Sequence, residues 1–220
     1  MNYSLEPIDF SARTHKTPAF LALNPNGKIP VLVDHAASDF VVFESGAMLW
    51  YLAEKSDLFL SDDPKLRSET LQWLMLQMGG VGPMMGQTMF FRRFAPHQEE
   101  ASESALKRFT TESRRLFEVL NTRLHGRDWL AGEAYSIADM AIWPWYGGLV
   151  LGRAYDAAEF LDAASYKNLM RWAKQIDARP AVKRGRMVNK ANGPLEEQLH
   201  ERHDASDFDT KTQDKVQGAA

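Results

Sequence analysis

The sequence predicts an α/β unit over about residues 1–55 followed by an all-α domain over about residues 64–190, and three observations carry that expectation. Two short apolar β-rich runs, Val31–Val33 and Phe40–Phe43, stand on either side of a polar turn. After Lys55 the apolar positions recur with helical period, and they continue so to about residue 190. Between the two patterns, Ser61-Asp62-Asp63-Pro64 supplies a helix cap and a proline suited to the first helical position, which puts a linker at residues 56–63. At 220 residues and 45% hydrophobic content, the chain can bury a core of this size.

Pro30 precedes the first strand, where a residue can do without an amide donor, and the main chain of Ile29 is left to pair with something else. Asp34–Asp39 is short enough to join the two runs as an antiparallel hairpin. Glu44 and Ser45 then open a helix through Ala47, Met48, Leu49, Tyr51 and Leu52 to about Lys55. A hydroxyl and unpaired amides at a helix N-terminus attract a carboxylate, while Glu44 attracts an ammonium. The ordinary alternative is Ser45 as a plain N-cap and Glu44 as a solvated first-turn acid.

Helical spacing continues over Lys65–Met78, and Gly79-Gly80-Val81-Gly82-Pro83 is expected to break it. Met84, Met85, Met89, Phe90, Phe91 and Phe94 follow, either as buried packing or as a hydrophobic wall. The next helix, Glu99–Leu124, places Leu106, Phe109, Leu116, Phe117, Leu120 and Leu124 in one stripe. Arg108 lies beside the stripe, with Glu112 one turn on at a spacing that permits an ion pair. Ser136 and Asp139 have the spacing of a capping box. Met140–Trp145 is apolar on nearly all sides, which predicts a central buried helix with a kink at Pro144. A last packed helix, Tyr166–Asp177, ends before Arg179-Pro180.

Residues 191–220 form a polar tail whose large apolar groups are nearly confined to Leu195, Leu199 and Phe208. His200, His203 and Asp204 can ligate metals but have no evident fourth ligand, so no metal site is expected. His97 and His125 read as solvated. A net charge of −3 gives no broad basic field, so neither nucleic acid nor a membrane is an expected partner. No apolar run approaches a membrane span and no secretory leader pattern is read, so a cytoplasmic location is expected. The cysteine count is zero, so thiol chemistry needs a thiol brought by a ligand.

The stretches NPNGKIPVLVD (Asn24–Asp34) and FESGAMLWYLAEK (Phe43–Lys55) resemble the thioredoxin-like domain, with its cis proline, of the glutathione transferase superfamily. Leu106–Glu112, Ser136–Trp145, Tyr155–Asp162 and the tail Gly193–Phe208 are similar to its nu class, bacterial enzymes with disulfide-bond reductase activity. The resemblance implies a truncated thioredoxin-like N-terminal domain with an all-helical C-terminal domain. It also implies glutathione as cosubstrate, a small-molecule disulfide or electrophile as second substrate, and a homodimer. Two glutathione molecules would do the reduction with no protein cysteine.

On the same footing, Glu44, Ser45 and the Ile29 backbone would orient glutathione, while Lys28, His15 and Arg108 would neutralise its carboxylates. His15 stands where the nu class has a glutamine and is similar to phi-class sequences, in which histidine contacts the glycine carboxylate; an imidazole can donate there. The helix near residues 84–94 would border the substrate cleft, and the Ser136–Asp139 element would cap the C-terminal core outside the active site.

The resemblance aligns Asn2–Phe10 with the second strand of the domain, so the first strand, the first helix and the loop between them are expected to be missing. That loop supplies the threonine or asparagine donors that hold the sulfur as a thiolate, and no residue here matches it, so the catalytic group is unassigned. The chain as written is expected to bind glutathione weakly and turn over more slowly than a version extended upstream. The expected function is glutathione-dependent disulfide reduction or transfer. The alternative is a non-catalytic binding or regulatory module of the same fold.

Overall fold

A cis peptide bond, Ile29–Pro30, leads into strand β1 (Val31–Asp34), which pairs with β2 (Phe40–Phe43) in a two-stranded sheet. The computed structural model describes residues 3, 4, 6, 8–94, 99–153 and 157–186. They form two compact units: one holds the described residues up to Val31 together with those from Gln175 to Arg186, and the other runs Leu32–Lys174. His97, Tyr155, Asp156, the tail and its His200, His203 and Asp204 lie outside the described residues.

In the first unit, none of the described residues in the stretch expected to match a second strand is in a strand. From Asp9 on, local hydrogen bonds fold the chain into a turn. The Asp9 carboxylate accepts from Ser11 N at 2.8 Å, Ser11 Oγ at 2.6 Å and Ala12 N at 3.1 Å, and its carbonyl accepts from Thr14 N at 3.0 Å. A 3-10 turn, Thr14–Lys16, and helix α1 (Pro18–Leu23) follow.

The β1–β2 connection is a 3-10 turn, His35–Ala37, far shorter than the dozen or so residues a parallel crossover needs, so the pair is the expected antiparallel hairpin. Helix α2 (Ser45–Ser56) packs beside it. Asp34 ties the two together: its Oδ2 accepts from the Tyr51 hydroxyl at 2.6 Å and from the Lys55 ammonium. Lys55 first and Tyr51 second hold its carboxyl down to about 2. A depressed acid stabilises the fold fully above its unfolded value, near ~3.9, and that contribution is lost as pH falls through the folded value. Melting temperature is therefore expected to fall more steeply between about pH 4 and pH 2 in the wild type than in Asp34→Asn. Parallel pH profiles in a melting series would show that the tie contributes nothing.

Helix α3 (Pro64–Leu76) begins at Asp63, whose carboxylate accepts from Lys65 N at 3.0 Å and Leu66 N at 2.9 Å. The expected break at Gly79–Pro83 does not occur. A π turn, Gln77–Val81, carries α3 into α4 (Gly82–Met89), and a second π turn, Phe90–Phe94, follows. The wide turn accepts the glycines without crowding, and Pro83 falls at the start of α4, where a missing amide costs little. Met85 and Met89 are buried while Phe90 is 48% exposed, so the methionines pack and that phenylalanine does not.

Helix α5 (Glu99–Arg123) buries Leu116, Phe117 and Leu120 as its stripe requires, with Leu124 buried just beyond it. Phe117 stacks on Tyr146 at 4.1 Å and on Tyr166 at 5.1 Å. Helix α6 (Ile137–Ile142) opens with the expected capping box. It passes into a third π turn, Trp143–Gly147, which holds Pro144, and then into α7 (Gly148–Val150). Ala53, Leu74, Ile137 and Ala141 join α2, α3 and α6 in one cluster, with Leu49, Met78 and Met140 against it. At its edge Asp139 is fully buried and accepts from Leu130 N, Ser136 N, Ser136 Oγ and Trp172 Nε1 at 2.8–3.1 Å.

Helix α8 (Lys167–Asp177) ends where expected, but a further helix, α9 (Pro180–Gly185), follows. Pro180 stops one helix and starts the next, because proline suits a first turn. Among the described residues no helix is long and apolar enough to cross a membrane, and no group of side chains could hold a metal ion. His125 is exposed.

Candidate functional site

In the first unit the loop before β1 is built around Asn24, which is 2% exposed. Its Nδ2 donates to the Lys28 carbonyl at 2.7 Å, and its Oδ1 accepts from Asn26 N at 3.0 Å. Its own carbonyl accepts from Gly27 N at 2.9 Å, with Gly27 at φ 61°, a conformation natural to glycine. Lys16 Nζ donates to the Gly27 carbonyl at 2.9 Å. The turn carrying His15 is thus fastened to the loop carrying Lys28 and Ile29. The His15 ring lies 4.9 Å from that of Phe10, and its buried Nδ1 has no hydrogen-bond partner among the described residues. Lys28 and Ile29 are exposed, and no hydrogen bond among the described residues uses the Ile29 main chain.

In the second unit, β2 turns into α2 through Glu44, which has φ 70° and ψ 119°. Such a conformation costs a residue other than glycine about 1–3 kcal/mol and concentrates at functional sites. Glu44 occupies the N-cap position without a side-chain cap bond, and Ser45 is the first helical residue. The ordinary reading of Ser45 as the N-cap therefore fails. The Glu44 carbonyl accepts from Met48 N at 2.9 Å, while the amides of Ser45, Gly46 and Ala47 lie in the turn that has no intrahelical acceptor and carries the positive end of the helix dipole. Both side chains, Glu44 and Ser45, are exposed.

Arg108 is exposed on α5, and the ion pair that its spacing to Glu112 permits is not formed. Glu112 is held in both oxygens by Arg115, Nε to Oε2 at 2.9 Å and Nη2 to Oε1 at 2.7 Å. The Arg115 hydrogen bonds lower the Glu112 carboxyl most, and Arg108 adds only a weaker charge interaction. Arg108 makes no ion pair among the described residues, which leaves it available to an anion. On the neighbouring face Phe109 stacks on Phe91 at 5.7 Å.

Sequence reasoning passed over two residues that hold these segments. Asn24 had a signal, since Asn-Pro-Asn-Gly is a turn in which the first side chain bonds the backbone two residues on. Asp34 had none, because its partners Tyr51 and Lys55 are remote in sequence.

The family model for the glutathione S-transferase N-terminal domain matches residues 1–54, and that for the C-terminal domain matches residues 83–180. The chain belongs to the glutathione S-transferase family, and its fold is that of the family, a small thioredoxin-like N-terminal part with a helical C-terminal domain. Within the family it is 54% identical over 200 residues to the disulfide-bond oxidoreductase YghU of Escherichia coli (strain K12), covering 90% of this chain and 68% of that protein. Among solved structures, a glutathione transferase from Pseudomonas putida with one glutathione disulfide bound per subunit is similar at a TM-score of 0.77 and 42% identity, covering 82% of this chain and 78% of that one. Glutathione transferase YghU from Streptococcus pneumoniae, complexed with glutathione, is similar at a TM-score of 0.74 and 45% identity, covering 78% of this chain and 65% of that one.

Proposed function

We propose that the chain reduces small disulfides, or conjugates small electrophiles, with glutathione as the thiol donor. The relatives above support the chemistry, and the observation that carries it to this chain is the exposed first turn of α2, where Ser45 does not cap the helix. Glu44 would take the glutathione ammonium, and Ser45 with the free amides would take the adjoining carboxylate. The Ile29 main chain would pair with the cysteinyl residue. His15, Lys28 and Arg108 would neutralise the remaining negative charge.

In the reduction, the thiolate of one glutathione attacks a sulfur of the substrate disulfide. That S–S bond breaks, a mixed disulfide forms, and the other half leaves as a thiolate that takes a proton from water. A second glutathione thiolate then attacks the glutathione sulfur of the mixed disulfide, which releases glutathione disulfide and the second substrate thiolate. Two glutathione thiols supply the two electrons, as the absence of protein cysteine requires. We place the protein in the cytoplasm as a homodimer. The linker at residues 56–63 would separate a glutathione-holding domain at 1–55 from the helical domain at 64–190.

Arg108→Ala is expected to raise the KM for glutathione while changing stability by less than about half a kcal/mol, as surface substitutions do. A large loss of stability with unaltered kinetics would make Arg108 a structural residue instead. The reading as a whole is tested by titrating the protein with glutathione in a calorimeter and assaying glutathione-dependent reduction of 2-hydroxyethyl disulfide. Saturable binding with turnover is expected. Binding without turnover would favour a binding module, and no binding would overturn the proposal.

A further inference from the structure

We propose that Gly46 and Met78 form a seat that sets the position of the first turn of α2, a role that rests on the reading that this turn receives a glutathione carboxylate. Gly46 is buried and directly follows Ser45. A Cβ on it would lie 2.9 Å from Met78 Cε, 3.0 Å from Met78 Cγ and 3.0 Å from Met78 Sδ. Non-bonded carbons are in contact at about 3.5–4.0 Å, so no side chain fits there unless Met78 moves along its whole length.

Met78 is half-buried, and its packing limits how it can step aside. It lies in the π turn Gln77–Val81 and packs against the cluster of Ala53, Leu74, Ile137 and Ala141, which binds α2 to α3 and α6. Bare backbone on one side and a held thioether on the other bring α2 to the π turn at a distance that only glycine permits. The hydroxyl of Ser45 and the amides of residues 45–47 belong to one helical turn and move together. A displacement at Gly46 therefore shifts every donor offered to the carboxylate. Gly46 and Met78 are positioning residues, and neither needs to touch the ligand.

The opposing expectation is plain. Alanine is a better helix former than glycine, so without the contact Gly46→Ala would raise the melting temperature. With it, Gly46→Ala is expected to lower the melting temperature and to raise the glutathione Kd and KM several-fold, with a smaller change in kcat at saturating glutathione. The double variant Gly46→Ala with Met78→Ala is expected to recover affinity relative to Gly46→Ala, because the shortened side chain makes room for the methyl group, while its melting temperature stays low because the packing of Met78 on the cluster is lost.

The measurements are calorimetric glutathione titration, steady-state reduction of 2-hydroxyethyl disulfide and thermal melts, with Ser45→Ala as a parallel arm. A higher melting temperature and unchanged Kd in Gly46→Ala would overturn the seat. So would a double variant that binds glutathione no better than Gly46→Ala, which would mean that the methyl group meets the ligand itself. An unchanged Kd in Ser45→Ala would sink the glutathione reading of this turn and the proposal with it. A weakened Ser45→Ala beside an unaffected Gly46→Ala would sink the seat alone.

Discussion

Asp139→Ala is expected to lower the melting temperature by roughly 10 °C or more, at about 2–4 °C per kcal/mol for a chain of this size. The carboxylate gathers four hydrogen bonds in a region where Leu130 and Trp172 are fully buried and Ser136 nearly so. Alanine would strand the Leu130 amide, the Ser136 amide and the Trp172 indole N–H away from water, at about 1–3 kcal/mol each. Burial lifts the Asp139 carboxyl above its ordinary range, and the hydrogen bonds from Trp172, Leu130 and Ser136 oppose that lift. Asp139→Asn should lose less, since the Ser136 hydroxyl can turn to accept from the new amide while the Ser136 amide is left without its partner. Thermal melts of the two variants check this. An unchanged melting temperature in Asp139→Ala would show that the three donors find other acceptors.

Ser45→Ala is expected to weaken glutathione binding about tenfold or more, because a hydrogen bond to a charged group contributes about 1.5–3 kcal/mol and 1.4 kcal/mol is a factor of ten. Stability should hardly change. Loss of an N-cap side chain costs about 1 kcal/mol, but Ser45 stands one place inside the helix and makes no cap bond. Affinity and stability therefore separate the two roles: a calorimetric Kd unchanged beside a lowered melting temperature would return Ser45 to service as a helix cap.

The parts of this fold legible in the sequence are those whose signals are local. The proline-led strand, the hairpin, the helix opened after Phe43 and the capping box at Ser136 and Asp139 each depend on residues within a few places of one another. What was illegible depends on choices between neighbours or on distant packing. Glu112 could have paired with Arg108 four residues before it or Arg115 three residues after it, and spacing alone permits both. Gly79-Gly80 and Pro83 read as breakers, yet a helix packed on α5 and α6 takes the glycines into a π turn and carries Pro83 at the start of α4. Pro180 correctly stopped α8, but the same residue also began α9. At the site, the residue types at Glu44 and Ser45 were readable, while the left-handed backbone of Glu44 that makes Ser45 the first helical residue was not.

A π turn amounts to a helix with one residue inserted and taken up locally, where an insertion left in a regular helix would rotate everything beyond it by about 100°. The face that α4 buries through Met85 and Met89 is thus in phase with the core because the turn at Gln77–Val81 absorbs the extra residue. Deleting one residue of that turn would leave a regular helix with those methionines still facing the core. Sequences compared across residue 80 by simple counting will match each position of α4 to its neighbour on the wrong face, and a single-residue gap within 77–81 is the alignment that restores the phase.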